Sequence, residues 1–119
     1  MIVDDHAAIR LALTRVIASV DDFQVCGEAE NGRVGVELAM RLKPDLIILD
    51  LSMPVIDGLQ AARELNRLMP AVPILMYTSF TSANLPAEAL AAGVRKVASK
   101  PSPPDALVKD LRMLLAAAA

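Results

Sequence analysis

Short apolar runs alternate along the chain with longer stretches in which apolar residues recur every three or four positions. The runs occupy residues 1–3, 23–29, 45–49, 73–77 and 94–98. Leu46-Ile47-Ile48-Leu49 is apolar at every position, as a central parallel strand must be when neither of its faces meets water. Between the runs, Ile9, Leu13, Val16 and Ile17 form one stripe at helical spacing, and Leu59, Ala62, Leu65 and Met69 form a second. Leu107, Leu111, Leu114 and Leu115 form a third,. This alternation predicts five βα units, an α/β fold in which a parallel sheet carries helices on both faces.

Particular residues mark the helix ends. Asn31 can accept a hydrogen bond from the free N–H groups of a helix start, and Ser102, with Pro103 at the first helical position and Asp105 three residues on, has the form of a capping box,. Gly93 supplies a left-handed C-terminal cap, while Pro44 and Pro70 disfavour helix at Lys43 and Met69,. The fourth helix is the least marked. Residues 79–84 are polar and Pro86 must fall in the first turn, so a short or mobile helix is expected,. Cys26 lies inside an apolar run and reads as a small core residue,.

Composition narrows the possibilities. With 119 residues, 55% hydrophobic and 22% charged, the chain reads as one compact domain over residues 1–119,. Its 12 basic and 14 acidic residues leave a formal charge of −2, and no run of Lys or Arg could neutralise a string of phosphates. Direct nucleic-acid binding by this chain is therefore not expected. A single cysteine excludes an internal disulfide and a cysteine-rich metal site, which suits a reducing cytoplasm. No apolar run approaches the roughly 18 residues of a membrane span, and the first residues lack the features of a signal peptide, so a cytoplasmic protein with no membrane contact is expected.

In an open parallel sheet with right-handed crossovers, all strand C-terminal ends lie along one edge, where ligands bind. The polar residues at those ends are Asp4 and Asp5, Asp50, Thr78 and Ser79, and Ser99 and Lys100. Three carboxylates so placed repel one another and resist desolvation, which implies a hard divalent cation such as Mg²⁺. A carboxylate can also attack phosphorus to form an acyl phosphate, with the cation and an ammonium offsetting charge on the transferred oxygens. Asp50, central in the sheet, is the candidate nucleophile. Taken singly, an aspartate after a strand is most often a turn or cap residue, and Asp4-Asp5 could equally cap the first helix. It is the joint placement that points to chemistry. His6, a lone histidine at a helix start, is assigned none.

These residues resemble the receiver domains of two-component response regulators over essentially the whole chain. The resemblance rests on Val3-Asp4-Asp5-His6, Leu49-Asp50-Leu51-Ser52-Met53-Pro54, Asp57-Gly58, Thr78 and Lys100-Pro101, which follow the family's order and approximate spacing. The Asp-Asp-His start and the Asp-Leu-Ser-Met-Pro segment are most similar to the NarL/LuxR-type branch. The resemblance implies a flavodoxin-like (βα)5 fold with strand order 2-1-3-4-5. It implies that Asp50 takes a phosphoryl group from a sensor histidine kinase, and that Asp5, Asp50 and the Ser52 backbone carbonyl bind Mg²⁺, with Asp4 assisting through water. Thr78 and Lys100 would bind phosphoryl oxygens, and the Lys100–Pro101 bond is expected to be cis. The response would be a change in the surface of the fourth helix, fifth strand and fifth helix, which a partner or a second copy reads. Ser52 and Phe80 stand where the family tunes dephosphorylation, and Phe80 is expected to exclude water from the phosphoryl group.

Two departures stand out. Val97 occupies the position three before the lysine where the family often has an aromatic switch residue, and Met1 precedes Asp4 by only three residues. The chain is too short to include a helix-turn-helix output module as well, and a fragment of a longer, DNA-binding regulator is expected. Two alternatives compete. A haloacid-dehalogenase-type phosphatase would require a second aspartate where Ser52 stands. A phosphorylation-independent interaction module would have no use for Asp5, Asp50, Thr78 and Lys100 together.

Overall fold

The computed structural model describes residues 1–80 and 82–118. Five strands and five helices alternate: β1 (Ile2–Val3), α1 (Ala7–Ala18), β2 (Glu28–Ala29), α2 (Gly32–Leu42), β3 (Ile47–Leu49), α3 (Gly58–Leu68), β4 (Ile74–Thr78), α4 (Leu85–Ala91), β5 (Lys96–Ser99) and α5 (Pro104–Ala118). All neighbouring strands are parallel, in the order β2-β1-β3-β4-β5. This is the flavodoxin-like, doubly wound sheet that the alternation and the resemblance imply.

The two sides of the sheet are built from alternate residues of the same strands. Val3, Ile47, Leu49, Ile74 and Met76 pack with residues of α2, α3 and α4, such as Val36, Ala62, Leu65 and Ala89. Ile2, Ile48, Leu75 and Tyr77 face the other way, onto Leu13 and Ile17 of α1 and Leu107 and Leu111 of α5. Successive strand side chains point to opposite faces, so a strand covered on both sides is apolar throughout. All three residues of β3 and all five of β4 are buried.

Several end signals act as expected. The Val34 N–H donates to Asn31 Oδ1 at 2.9 Å, and Gly93 has φ +92° just beyond α4. In that conformation the Gly93 and Val94 N–H groups donate to the Leu90 and Ala89 carbonyls at 3.0 and 2.9 Å, closing the helix,. The fourth helix is short, seven residues with proline in its first turn. Residue 81, in the polar stretch before it, lies outside the described residues, as does residue 119 in the terminal alanine run.

Other signals do not. The run 23–29 yields a strand only at Glu28–Ala29, because β2 is an edge strand whose one neighbour, β1, faces it with Ile2 and Val3 alone. The pairing begins at the Gly27 carbonyl, which accepts from the Ile2 N–H at 3.1 Å, and without a partner opposite, residues 23–26 have no ladder to join. Cys26 falls in that unpaired stretch and is exposed, not a core residue. The capping box at Ser102 does not form. Helix α5 starts at Pro104, one residue late, with the Leu107 N–H donating to the Pro103 carbonyl at 3.1 Å. The Ser102 hydroxyl instead donates to the Ser99 carbonyl at 2.7 Å. Lys43 ends α2 in the left-handed region, φ 51°, instead of the extended conformation that a following proline favours,.

The loop from β3 to α3 is held against the end of β3 by one close approach. The Gly58 N–H donates to the Leu51 carbonyl at 2.7 Å. A Cβ on Gly58 would collide with the Asp50 carbonyl oxygen and stand 2.7 Å from the Leu51 Cα. Both obstacles are backbone and cannot rotate away. Gly58→Ala is expected to destabilise the domain by about 1–3 kcal/mol, the usual scale of overpacking, as measured by urea unfolding. An unchanged midpoint would show that the loop yields without effort.

Candidate functional site

The end of each strand delivers one or two polar side chains to the same sheet edge. In the sheet register Leu49 pairs with Met76, and Thr78 pairs with Ser99. Asp50, Thr78 and Lys100 therefore leave three adjacent strands at nearly the same height, and Asp4 and Asp5 leave β1 beside them. The Asp50 N–H donates to the Val3 carbonyl at 2.9 Å, and the Lys100 N–H donates to the Thr78 carbonyl at 2.9 Å. Backbone pairing thus continues up to the site residues and sets their positions.

Asp4, Asp50 and Thr78 are the buried polar residues among those described, at 2%, 4% and 2% exposure. Buried carboxylates need partners, and Lys100 is the main one. Its Nζ lies 2.6 Å from Asp4 Oδ2 and 3.4 Å from Asp50 Oδ1. The Leu51 N–H also donates to Asp50 Oδ1 at 2.8 Å. Among the described residues no donor reaches Asp50 Oδ2. Asp4 Oδ1 accepts from the His6 N–H at 2.9 Å. Asp4 and Asp5 do not cap α1, whose first turn receives no side-chain cap.

Burial holds the Asp50 carboxyl above the ordinary carboxylate range, and the negative charge of Asp4 adds to the effect. The Lys100 ammonium and the Leu51 N–H offset it only in part. Donor atoms from Asp4, Asp5, His6 and Asp50 all lie within 4.8 Å of one another. With one ammonium for three carboxylates, the edge is short of positive charge, and its donors are mainly hard oxygens. That donor set fits Mg²⁺, which prefers carboxylate and water oxygens.

The comparisons with known proteins identify the family of the chain. The model of the response regulator receiver domain matches residues 1–112. The chain belongs to this family. Protein-glutamate methylesterase/protein-glutamine glutaminase 4 of Hahella chejuensis is 44% identical over 95 residues, which is 78% of this chain and 24% of that protein. Response regulator GacA of Pseudomonas aeruginosa is 33% identical over 116 residues, 98% of this chain and 54% of that protein. The chain thus spans only a part of the curated relatives it matches. Among solved structures, the response regulator domain of Thermotoga maritima CheB superposes with a TM-score of 0.88 at 30% identity, covering 96% of this chain and 92% of that one. A LuxR-family response regulator from Aurantimonas reaches 0.93 at 29% identity, covering 98% and 84%. Receiver domains are regulatory, are phosphorylated by sensor histidine kinases and bind Mg²⁺ at an acidic pocket. The relatives include methylesterases, GacA and LuxR-family regulators, so they do not single out the NarL/LuxR branch.

The receiver site also includes residues that sequence reasoning passed over. Tyr77 is one: its ring centroid lies 5.7 Å from Lys100 Nζ, and its hydroxyl accepts from the Ser102 N–H at 3.0 Å. It supports the segment on which Lys100 sits, from the face opposite Val97, which is half-buried against the other core. Arg10 is another, donating to the Asp4 carbonyl at 2.6 Å. The Lys100–Pro101 bond is cis, as the resemblance implies. Phe80 is half exposed, at 50%, and its N–H donates to Thr78 Oγ1 at 3.1 Å. Ser52 is exposed. A cavity of about 420 Å³ contains none of these residues. It lies around Met1, Phe23, Cys26, Pro44 and Leu46, away from the acidic edge. No helix among the described residues is long and apolar enough to cross a membrane.

A raised folded-state pKa on a carboxylate means that the native state binds the proton more readily than the unfolded chain. Ionised Asp50 therefore costs stability above its folded pKa, and the cost fades as pH falls through that pKa towards the unfolded value of about 3.9, below which it is gone,. In metal-free buffer, Asp50→Asn is expected to raise the Tm at pH 7, with the difference closing by about pH 4. Thermal unfolding of both proteins across that range checks it, and a lower Tm for the variant at pH 7 would contradict the assignment.

Proposed function

We propose that the chain is a working phosphoacceptor in which Asp50 takes a phosphoryl group from the phosphohistidine of a sensor kinase. The observation that carries the reading is the buried Asp50 carboxylate, engaged at Oδ1 by Leu51 and Lys100 while Oδ2 receives no donor among the described residues. Attack by Oδ2 on phosphorus forms the acyl phosphate as the donor's phosphorus–nitrogen bond breaks. The departing imidazole keeps the electron pair and takes up a proton. Mg²⁺, held by Asp5, Asp50 and the Ser52 backbone carbonyl, with Asp4 acting through water, would supply positive charge to the transferring oxygens.

Lys100 is placed to do two jobs in turn. Before transfer it neutralises Asp4 and part of the charge on Asp50. After transfer its ammonium, 3.4 Å from Asp50 Oδ1, pairs with a phosphoryl oxygen. The Thr78 hydroxyl, which accepts from Phe80 before transfer, would instead donate to another phosphoryl oxygen. That rearrangement draws on the segment leading to α4, a helix of seven residues with proline in its first turn. The response is read on the surface of α4, β5 and α5, where Leu90 and Met113 are exposed, at 74% and 59%. A dianion at one end and a marginal helix at the other form a two-state element that phosphorylation biases. Val97 provides no aromatic to flip, so the signal passes through backbone and helix. The output is transcriptional, of the NarL/LuxR type, in a longer regulator or through a second copy. The alignment of nearly the whole chain with GacA supports this.

Incubation of the chain with acetyl phosphate and Mg²⁺ is expected to add one phosphoryl mass, lost in Asp50→Ala and in the presence of chelator. Failure of the parent to gain mass under any divalent cation would favour the phosphorylation-independent module. Once labelled, Phe80→Ala is expected to lose phosphate about twofold or more faster than the parent, since less apolar surface then screens the acyl phosphate from water. Equal decay rates would remove Phe80 from this role.

A further inference from the structure

One further side chain, His6, reaches the acidic edge that is read as a cation site. His6 stands at the N-cap position of α1, with φ −97° and ψ 110°, yet makes no side-chain cap bond. Its ring is not a core element either, being 65% exposed. The two commonest reasons for a histidine at a helix start are therefore absent. Instead the ring turns back over the acidic edge. Nδ1 lies 3.0 Å from Asp5 Oδ1 and 3.2 Å from Asp4 Oδ1, and the His6 N–H is tied to Asp4 Oδ1.

Those distances have a meaning in coordination chemistry. Two donors bound side by side on one octahedral ion, with bonds of about 2.1 Å, stand about 3.0 Å apart. In the metal-free protein 3.0 Å is the distance of a hydrogen-bonded ion pair between Nδ1 and Asp5,, and the same spacing lets the two groups replace that contact as adjacent donors to one shared ion. The His6 backbone is already fixed by the Asp4 hydrogen bond, so little freedom is lost on binding. A nitrogen donor changes which ions such a site prefers: carboxylates and water suit Mg²⁺, whereas imidazole suits zinc-class cations.

We infer that His6 is a specificity-determining residue of the cation site, through whose Nδ1 the acidic edge takes Zn²⁺ in competition with Mg²⁺. The inference rests on Asp50 and Asp5 being cation ligands. It makes the phosphoacceptor sensitive to which cation is available, because a zinc-filled edge has exchanged a water position for imidazole.

His6 is the single histidine of the chain, so its ¹⁵N resonances need no assignment by mutation. A Cys26→Ser background removes the one thiol, which could otherwise hold Zn²⁺ elsewhere. In that background ZnCl₂ is expected to shift the Nδ1 resonance strongly, while MgCl₂ does not. By calorimetric titration His6→Ala is expected to lower Zn²⁺ affinity about tenfold or more and to change Mg²⁺ affinity by less than about twofold. His6→Asn, which returns an oxygen donor, should retain Mg²⁺ binding without restoring Zn²⁺. If Zn²⁺ binds parent and His6→Ala alike, or moves Nε2 but not Nδ1, the inference is overturned. Asp50→Asn separates the two levels. If it binds Mg²⁺ as tightly as the parent, the cation reading itself fails and His6 falls with it; if Mg²⁺ affinity depends on Asp50, failure at His6 concerns His6 alone.

Discussion

Two carboxylates lie almost fully out of water at the ends of β1 and β3, and a single lysine from the end of β5 must serve both. Burial and mutual repulsion each oppose ionisation of Asp50. Lys100 relieves this unevenly, lying 2.6 Å from Asp4 and 3.4 Å from Asp50. The arrangement leaves Asp50 only partly compensated by the positive charge around it. A fully satisfied ion pair would be inert; an uncompensated buried charge would unfold the edge. The site lies between those limits.

The rest of the fold maintains that balance. The apolar strands carry two cores, one under α2, α3 and α4 and one under α1 and α5, so the strand ends cannot shift without disturbing packing on both sides. Backbone hydrogen bonds extend the pairing to Asp50 and Lys100 themselves. Gly58 lets the loop after Asp50 close directly on β3, and Tyr77 props the segment that holds Lys100. With seven residues and a first-turn proline, α4 is the shortest of the five helices and the least self-supporting by its local signals,.

Most of the acidic edge was legible in the sequence because parallel βα topology turns a one-dimensional observation into a spatial one. A polar residue directly after an apolar run must lie at the C-terminal edge, so Asp4, Asp5, Asp50, Thr78 and Lys100 could be grouped before any distance was known. Helix ends with local mechanisms, Asn31 and Gly93, were equally readable. The errors came where a local pattern depended on a distant partner. Residues 23–26 have the composition of a strand, but a strand exists only where a neighbour supplies hydrogen bonds, and β1 reaches no further back than Gly27. Cys26 consequently lies exposed. Ser102 has the spacing of a capping box, but the Ser99 carbonyl and Tyr77 hydroxyl claim its hydroxyl and N–H.

By itself the sequence determined the order of strands and helices, which strands are covered on both faces, and which charged residues stand at strand ends, because hydrophobic periodicity and chain connectivity are local properties. The tertiary structure alone decided that Lys100 sits closer to Asp4 than to Asp50, that Tyr77 rather than a residue of β5 supports it, and that the His6 ring faces the carboxylates. Those outcomes depend on distances between groups as far as 96 positions apart, and such distances are set only when both cores have packed.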